Sequence, residues 1–80
     1  MNSFRGGVMT LKKGFYRHYK GAEYQLLHLA RHSETEEWLV VYRPCYGDRD
    51  IWVRPLAMFT EDVTNNDGKV VPRFEFIRES

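Results

Sequence analysis

The sequence has little cysteine and no long apolar run. Cys45 is the only cysteine among 80 residues, which excludes an internal disulfide and is typical of a reducing compartment. The longest apolar runs, such as residues 39–42, are far shorter than the roughly 20 residues that a membrane-spanning helix needs. No apolar segment of roughly 7–15 residues accompanies the early basic residues, so we expect no secretory signal. These absences together predict a cytoplasmic location and no membrane partner.

No single sign of charge dominates, because 12 basic residues stand against 11 acidic ones. The distribution is nevertheless uneven. Residues 1–31 contain six basic residues and one acid, whereas residues 32–80 contain six basic residues and ten acids. This asymmetry is typical of a basic face that binds nucleic acid or another anion. The alternative is that charges from the two halves pair across neighbouring strands, where exposed ion pairs contribute little.

Short apolar and aromatic runs, bounded by Gly, Pro, Asn or Asp, predict strands rather than helices. The predicted strands cover residues 15–19, 23–32, 38–43, 51–54 and 70–77. The second and third of these form a hairpin, and residues 56–63 suit one helical or 3₁₀ turn. We therefore expect an all-β fold, a small SH3-like barrel of about five antiparallel strands, with that turn before the last strand. It occupies residues 14–80 as one domain, after a flexible leader over residues 1–13.

The densest group of candidate binding residues lies between Gly14 and Gly21. It consists of Tyr16, Arg17, His18, Tyr19 and Lys20. In a strand, the first, third and fifth of these share one face. Interleaved aromatic and basic side chains are used by single-strand nucleic-acid binders, because rings stack on bases and cations hold phosphates. The alternative is that one face belongs to the core and the other is a solvated edge.

Three arginines beside prolines form a second candidate group: Arg43, Arg54 and Arg73. Guanidinium groups suit carboxylates and phosphates, so these residues either converge on an anion site or pair with acids of the chain. Trp52 shares a strand face with Arg54, opposite Ile51 and Val53. If those two aliphatic residues are buried, Trp52 is an exposed stacking surface, and otherwise Trp52 belongs to the core.

Metal and catalytic signatures are weak. Three histidines and one cysteine lack the spacing of a structural zinc site. No nucleophile stands with a base and an orienting group, and the glycines form no phosphate loop. We therefore expect no metal, no cofactor and no catalytic residue.

Several segments in order resemble the bacterial domain-of-unknown-function family 1653, over residues 14–77. They are Tyr16–Gly21 with Tyr24, then His32–Thr35, Val40–Arg43, Trp52–Pro55 with Met58 and Phe59, and Pro72–Phe74. The resemblance implies an SH3-like barrel and no established activity, so it supplies no catalytic residues.

The leading hypothesis is a non-enzymatic binding module with a basic and aromatic surface for nucleic acid, a nucleotide or another phosphorylated ligand. Its candidate residues are Tyr16, Arg17, His18, Tyr19, Lys20, Arg43, Trp52, Arg54 and Arg73. Two alternatives stay open. One is a protein or peptide interaction module that uses exposed aromatic residues. The other is a small hydrolase with His18 or His32 as general base.

Overall fold

The computed structural model describes the backbone of residues 4–5 and 8–9 and all of residues 11–80. Within the predicted leader, Phe4–Arg5 (β1) pairs with Val8–Met9 (β2) in antiparallel fashion. Most of that leader lies outside the described residues, so its predicted flexibility stays a prediction. In the described part of the chain, no helix is long and apolar enough to cross a membrane.

Five antiparallel strands form the main sheet, in the order β6-β5-β4-β3-β9. Their bounds are Gly14–His18 (β3), Glu23–Arg31 (β4), Trp38–Pro44 (β5), Trp52–Pro55 (β6) and Phe74–Glu79 (β9). The helix Leu56–Phe59 (α1) follows β6, and Asp62–Thr64 (β7) pairs with Val70–Pro72 (β8). The predicted mainly β class, the five antiparallel strands and the helical turn before the last strand are confirmed. Closure into an SH3-like barrel stays a prediction.

Two predicted boundaries are wrong, and hydrogen bonds of the backbone explain both. The helical turn ends at Phe59, where the Thr60 N–H donates to the Leu56 carbonyl at 3.0 Å, and residues 62–64 form a strand instead. The last predicted strand is split in two at Arg73. The Arg73 N–H donates to the Glu61 carbonyl at 2.9 Å, and the preceding Pro72 has no N–H to offer. The chain therefore changes sheets at this point.

Strict alternation along residues 23–32 predicts that Tyr24, Leu26, His28 and Ala30 share one face, and this prediction fails in the second half of β4. The pairing of β4 with β5 shifts between Leu26 and His28, which is the signature of a β-bulge. Because the bulge adds one residue, Leu29 packs against the core on the same side as Leu26, while His28 is exposed. The hairpin itself forms as predicted.

Seven buried side chains form the core between the sheet and α1: Tyr16, Leu26, Val40, Tyr42, Leu56, Phe59 and Phe74. The Phe59 and Phe74 rings stack with centroids 4.2 Å apart and planes 4° from parallel. The Tyr16 ring meets Phe59 edge-on at 5.2 Å. Burial of each such side chain contributes roughly 1.5–3 kcal/mol, so α1 stabilises the fold mainly through Phe59 and Leu56.

Candidate functional site

His18, the last residue of β3, lies among aromatic rings at one end of the main sheet. Its imidazole centroid is 4.7 Å from the Tyr19 ring, 4.9 Å from Phe74 and 6.3 Å from Tyr24. Phe74 belongs to the core, so His18 stands where the core reaches the surface. We call this region the His18 surface. It consists of His18, Tyr19, Lys20, Tyr24, Tyr46, Arg54 and Arg73.

The protonation state of His18 follows from its contacts. The Lys20 backbone N–H donates to Nδ1 at 3.2 Å, which leaves the ring proton of the neutral form on Nε2. The pKa of His18 is lowered, first by burial of the ring and then by the charges of Arg54, Arg73 and Lys20. The imidazole is therefore neutral at pH 7, with Nε2–H as a hydrogen-bond donor.

Three cations from separate parts of the chain act on this imidazole through their charges. The Arg54 guanidinium, on β6, lies 5.5 Å from the Phe74 ring centroid and 6.0 Å from that of Tyr42. The Lys20 Nζ lies 5.7 Å from the Tyr19 ring centroid. Among the described residues, neither Arg54 nor Lys20 forms an ion pair. Their charges are therefore held by aromatic faces and stay available to an anion.

Arg73 differs because an acid partly neutralises it. Its Nη2 lies 3.1 Å from Glu61 Oε1, and its side chain is 22% exposed. The Nε atom of Arg73 is buried and has no hydrogen-bond partner among the described residues. An unpartnered buried donor is costly, and because Nε is out of reach of solvent, a ligand would meet the other N–H groups of this guanidinium.

Two tyrosines extend the His18 surface. The hydroxyls of Tyr24 and Tyr46 are hydrogen-bonded at 3.1 Å, and their ring centroids are 6.1 Å apart. The Tyr46 hydrogen bond, followed by burial, raises the pKa of Tyr24 to about 12. The Tyr46 side chain is 54% exposed, which leaves a ring available for stacking.

Four of the predicted candidates lie outside the His18 surface: Tyr16, Arg17, Arg43 and Trp52. Tyr16 is only 3% exposed and its hydroxyl donates to the Lys12 carbonyl at 2.5 Å, so it is a core residue and cannot meet a ligand. Arg17 pairs with Glu23 at 3.3 Å on the outer face of the sheet, although it also reaches a cleft of about 280 Å³ beside His18 and Tyr19. Arg43 is opposite Gln25, one position away from the core residue Tyr42, and therefore also faces outward.

Trp52 shares the core-side face with Arg54, as predicted, because β6 pairs these residues with Tyr42 and Val40. The two alternatives for its burial are both wrong. Trp52 is 57% exposed, while Ile51 and Val53 are each 59% exposed. An edge strand that lies past the end of the core leaves both of its faces open. The three arginines thus converge only in part, since Arg54 and Arg73 flank His18 and Arg43 does not.

Sequence reasoning missed Tyr24 and Tyr46 as site residues. Tyr24 was visible as an aromatic residue in phase with Leu26 on β4, which indicated the core-side face. Tyr46 lies in the loop after β5, where strand alternation carries no information. Among the residues that the structure describes, no three His, Cys, Asp or Glu side chains are grouped as metal ligands would be.

The fold and this surface define a small, mainly β domain with basic and aromatic side chains at one end of its sheet. Residues 14–76 match the family model of DUF1653, described as a protein of unknown function. The chain belongs to the DUF1653 family, as its sequence resemblance predicted. A crystal structure of a DUF1653 protein from Bordetella bronchiseptica is 38% identical, with a TM-score of 0.79. That similarity covers 88% of this chain and 91% of the other. No curated protein matches the chain.

Proposed function

We propose that this domain is a non-enzymatic module that binds single-stranded nucleic acid at the His18 surface. The observation that carries the proposal is the placement of Lys20, Arg54 and Arg73 around one neutral imidazole. Such a cluster attracts phosphate, because each cation lowers the free energy of an anion placed between them. In this proposal the cations hold phosphates, and His18 donates a hydrogen bond from Nε2.

The aromatic residues favour nucleic acid over a simple anion. The Tyr19 ring lies against Lys20, and Tyr46 adjoins Tyr24, which packs against His18. Base stacking on such rings contributes about 1–3 kcal/mol per base. Cations interleaved with rings therefore suit a chain in which phosphates alternate with bases. A free phosphate would use the charges and leave Tyr46 without a role.

Salt dependence tests the electrostatic half of the proposal. A labelled oligonucleotide is titrated with the protein at several salt concentrations, with fluorescence anisotropy as the signal. For single strands the slope of log K against log salt is about −0.7 per phosphate contact, so three contacts give about −2. Arg54→Gln is expected to reduce the slope by about 0.7. Arg78→Gln removes the same charge from the outer face, where Arg78 lies 4.3 Å from the Phe15 ring, and leaves the slope unchanged.

Substitutions of Tyr46 test whether bases stack on the His18 surface. Tyr46→Ala is expected to weaken oligonucleotide binding about 5- to 150-fold, the equivalent of one stacked base. Tyr46→Phe loses the hydroxyl bond to Tyr24 and keeps the ring, so it retains most of the affinity. Salt-insensitive binding of a proline-rich peptide, with no oligonucleotide binding, would refute the proposal in favour of a peptide-interaction module. Binding of mononucleotides as tightly as oligonucleotides would instead indicate a small phosphorylated ligand.

A further inference from the structure

Strand β6 forms one edge of the main sheet, beside β5. On its other side, β6 pairs with no described strand. A strand edge of this kind presents unpaired N–H and C=O groups that can pair with another strand. Proteins usually protect such edges with charges, prolines or bulges within the strand. Here the proline, Pro55, stands only at the end of β6.

The exposed side chains at this edge are apolar. Ile51, Trp52 and Val53 are consecutive, and each exposes more than half of its surface. Three adjacent large apolar side chains on an open edge favour association, because strand pairing would satisfy the backbone and cover the flank of each side chain that faces the added strand.

The sequence around Trp52 has the symmetry of a strand that pairs with itself. Asp50 and Arg54 have opposite charges and lie two residues to either side of Trp52, with Ile51 and Val53 between. When two copies pair antiparallel about a twofold axis at Trp52, Asp50 of each copy lies opposite Arg54 of the other. Ile51 then lies opposite Val53, and the two Trp52 rings adjoin.

We propose that the chain forms a twofold symmetric dimer through antiparallel pairing of its β6 edges, in the register centred on Trp52. Directly opposed side chains have Cβ atoms about 4.5–5.5 Å apart, which allows two interchain ion pairs and two aliphatic pairs. A parallel pairing would place like charges beside each other at both positions, which destabilises it. The charge pattern therefore selects one orientation and one register.

Pairing would extend β6 toward its N-terminus, up to Asp50. The extension stops there because Arg49 has a φ of +60°, a turn conformation that does not continue a strand. The two main sheets would join into one sheet of ten strands. Trp52 and Arg54 lie on the core-side face, so the two His18 surfaces would stand on the same side of the joined sheet. This dimer does not rest on the proposed nucleic-acid binding, but it draws on the same Arg54 guanidinium, which would turn from the Tyr42 and Phe74 rings toward Asp50 of the other copy. Asp50→Arg keeps Arg54 and therefore separates a failure of the dimer from a failure of nucleic-acid binding.

Reversal of the charges at Asp50 and Arg54 tests whether the dimer forms in this register. Sedimentation velocity of the full chain at increasing concentration is expected to give a species of twice the single-chain mass. Asp50→Arg and Arg54→Asp, each alone, put like charges opposite each other at two positions and are expected to weaken the dimer at least about tenfold. The double variant Asp50→Arg/Arg54→Asp restores opposite charges and should recover the dimer.

Glu79→Arg is the matched control, because it reverses a charge on β9, at the opposite edge of the sheet. It is expected to leave the dimer unchanged. Amide hydrogen exchange adds a local signal, since protection of Ile51 and Val53 should rise with protein concentration. A wild-type chain that stays monomeric at submillimolar concentration would overturn the proposal. A dimer that both single reversals leave intact, or that the double variant fails to recover, would overturn it equally.

Discussion

Ionisation of Tyr16 links the packing of the core to an effect on stability that can be measured. The ring is buried against Phe59 and Phe76, and its hydroxyl donates to the Lys12 carbonyl. Burial raises the pKa of Tyr16 from 10.0 to about 12. Above pH 10 the unfolded chain therefore loses this proton while the folded chain keeps it. Because the unfolded state then binds fewer protons, the free energy of unfolding falls as pH rises.

The size of this effect follows from the two pKa values. A difference of one pKa unit corresponds to about 1.4 kcal/mol, so Tyr16 alone removes about 1.4 kcal/mol of stability by pH 11. Small domains have a total stability of only about 5–15 kcal/mol. The loss is thus large enough to shift a urea unfolding midpoint clearly.

Urea denaturation of the wild type and of Tyr16→Phe between pH 8 and pH 11 gives the comparison. At pH 8 the variant is expected to be less stable by about 0.5–1.5 kcal/mol, because it lacks the hydroxyl bond. The gap should close as pH rises, since the variant has no Tyr16 proton to lose. Tyr19→Phe, the same substitution outside the core, keeps the wild-type dependence on pH. Parallel curves for the wild type and Tyr16→Phe would refute the reasoning.

Two further predictions concern the first and last residues of β3. Gly14→Ala is expected to lower unfolding stability by more than about 3 kcal/mol in urea denaturation, because a Cβ there would lie 2.3 Å from the Arg78 carbonyl oxygen at a φ of +150°. Gly68→Ala, at a φ of +80° in open space, is the control and should lose only about 1 kcal/mol; equal losses would contradict the argument. The lowered pKa of His18 means that its contribution to stability is complete above pH 6.5 and is lost as pH falls below it. His18→Gln should therefore flatten the dependence of the urea midpoint on pH between 7.5 and 5, and an unchanged dependence would show that another group is responsible.

Local composition predicted most of the strands, because β-branched and aromatic runs between turn residues leave few other structures open. The hairpin of β4 and β5 follows from such runs. Local composition could not predict the bulge after Leu26, since an extra residue in one strand depends on its pairing partner. The split at Arg73 was equally hidden, because it rests on a hydrogen bond to Glu61, twelve residues away.

The sequence could predict only those candidate site residues that lie on the core-side face of a strand. His18 and Arg54 came from such strand segments and lie together, whereas Arg43 belongs to the opposite face. Tyr16 and His18 are on the same face of β3, yet one is core and the other reaches the surface. Their difference arises from how far α1 extends over the sheet, which is a tertiary property. Alternation assigns the face of a side chain but not its distance from the end of the core.

Trp52 lies on an edge strand, past the end of the core. Alternation along β6 predicted that either Trp52 or the pair Ile51 and Val53 is buried, and both alternatives assumed that one face of the strand is covered. The core ends before Trp52, because the neighbouring buried residues Tyr42 and Val40 belong to the next strand inward. An edge strand with both faces open has no intrachain reason to carry three large apolar residues, which cost solubility where they are exposed. An oppositely oriented copy of the same strand supplies that reason, because each apolar residue then packs beside an apolar residue of the other copy and Asp50 pairs with Arg54 in a single register.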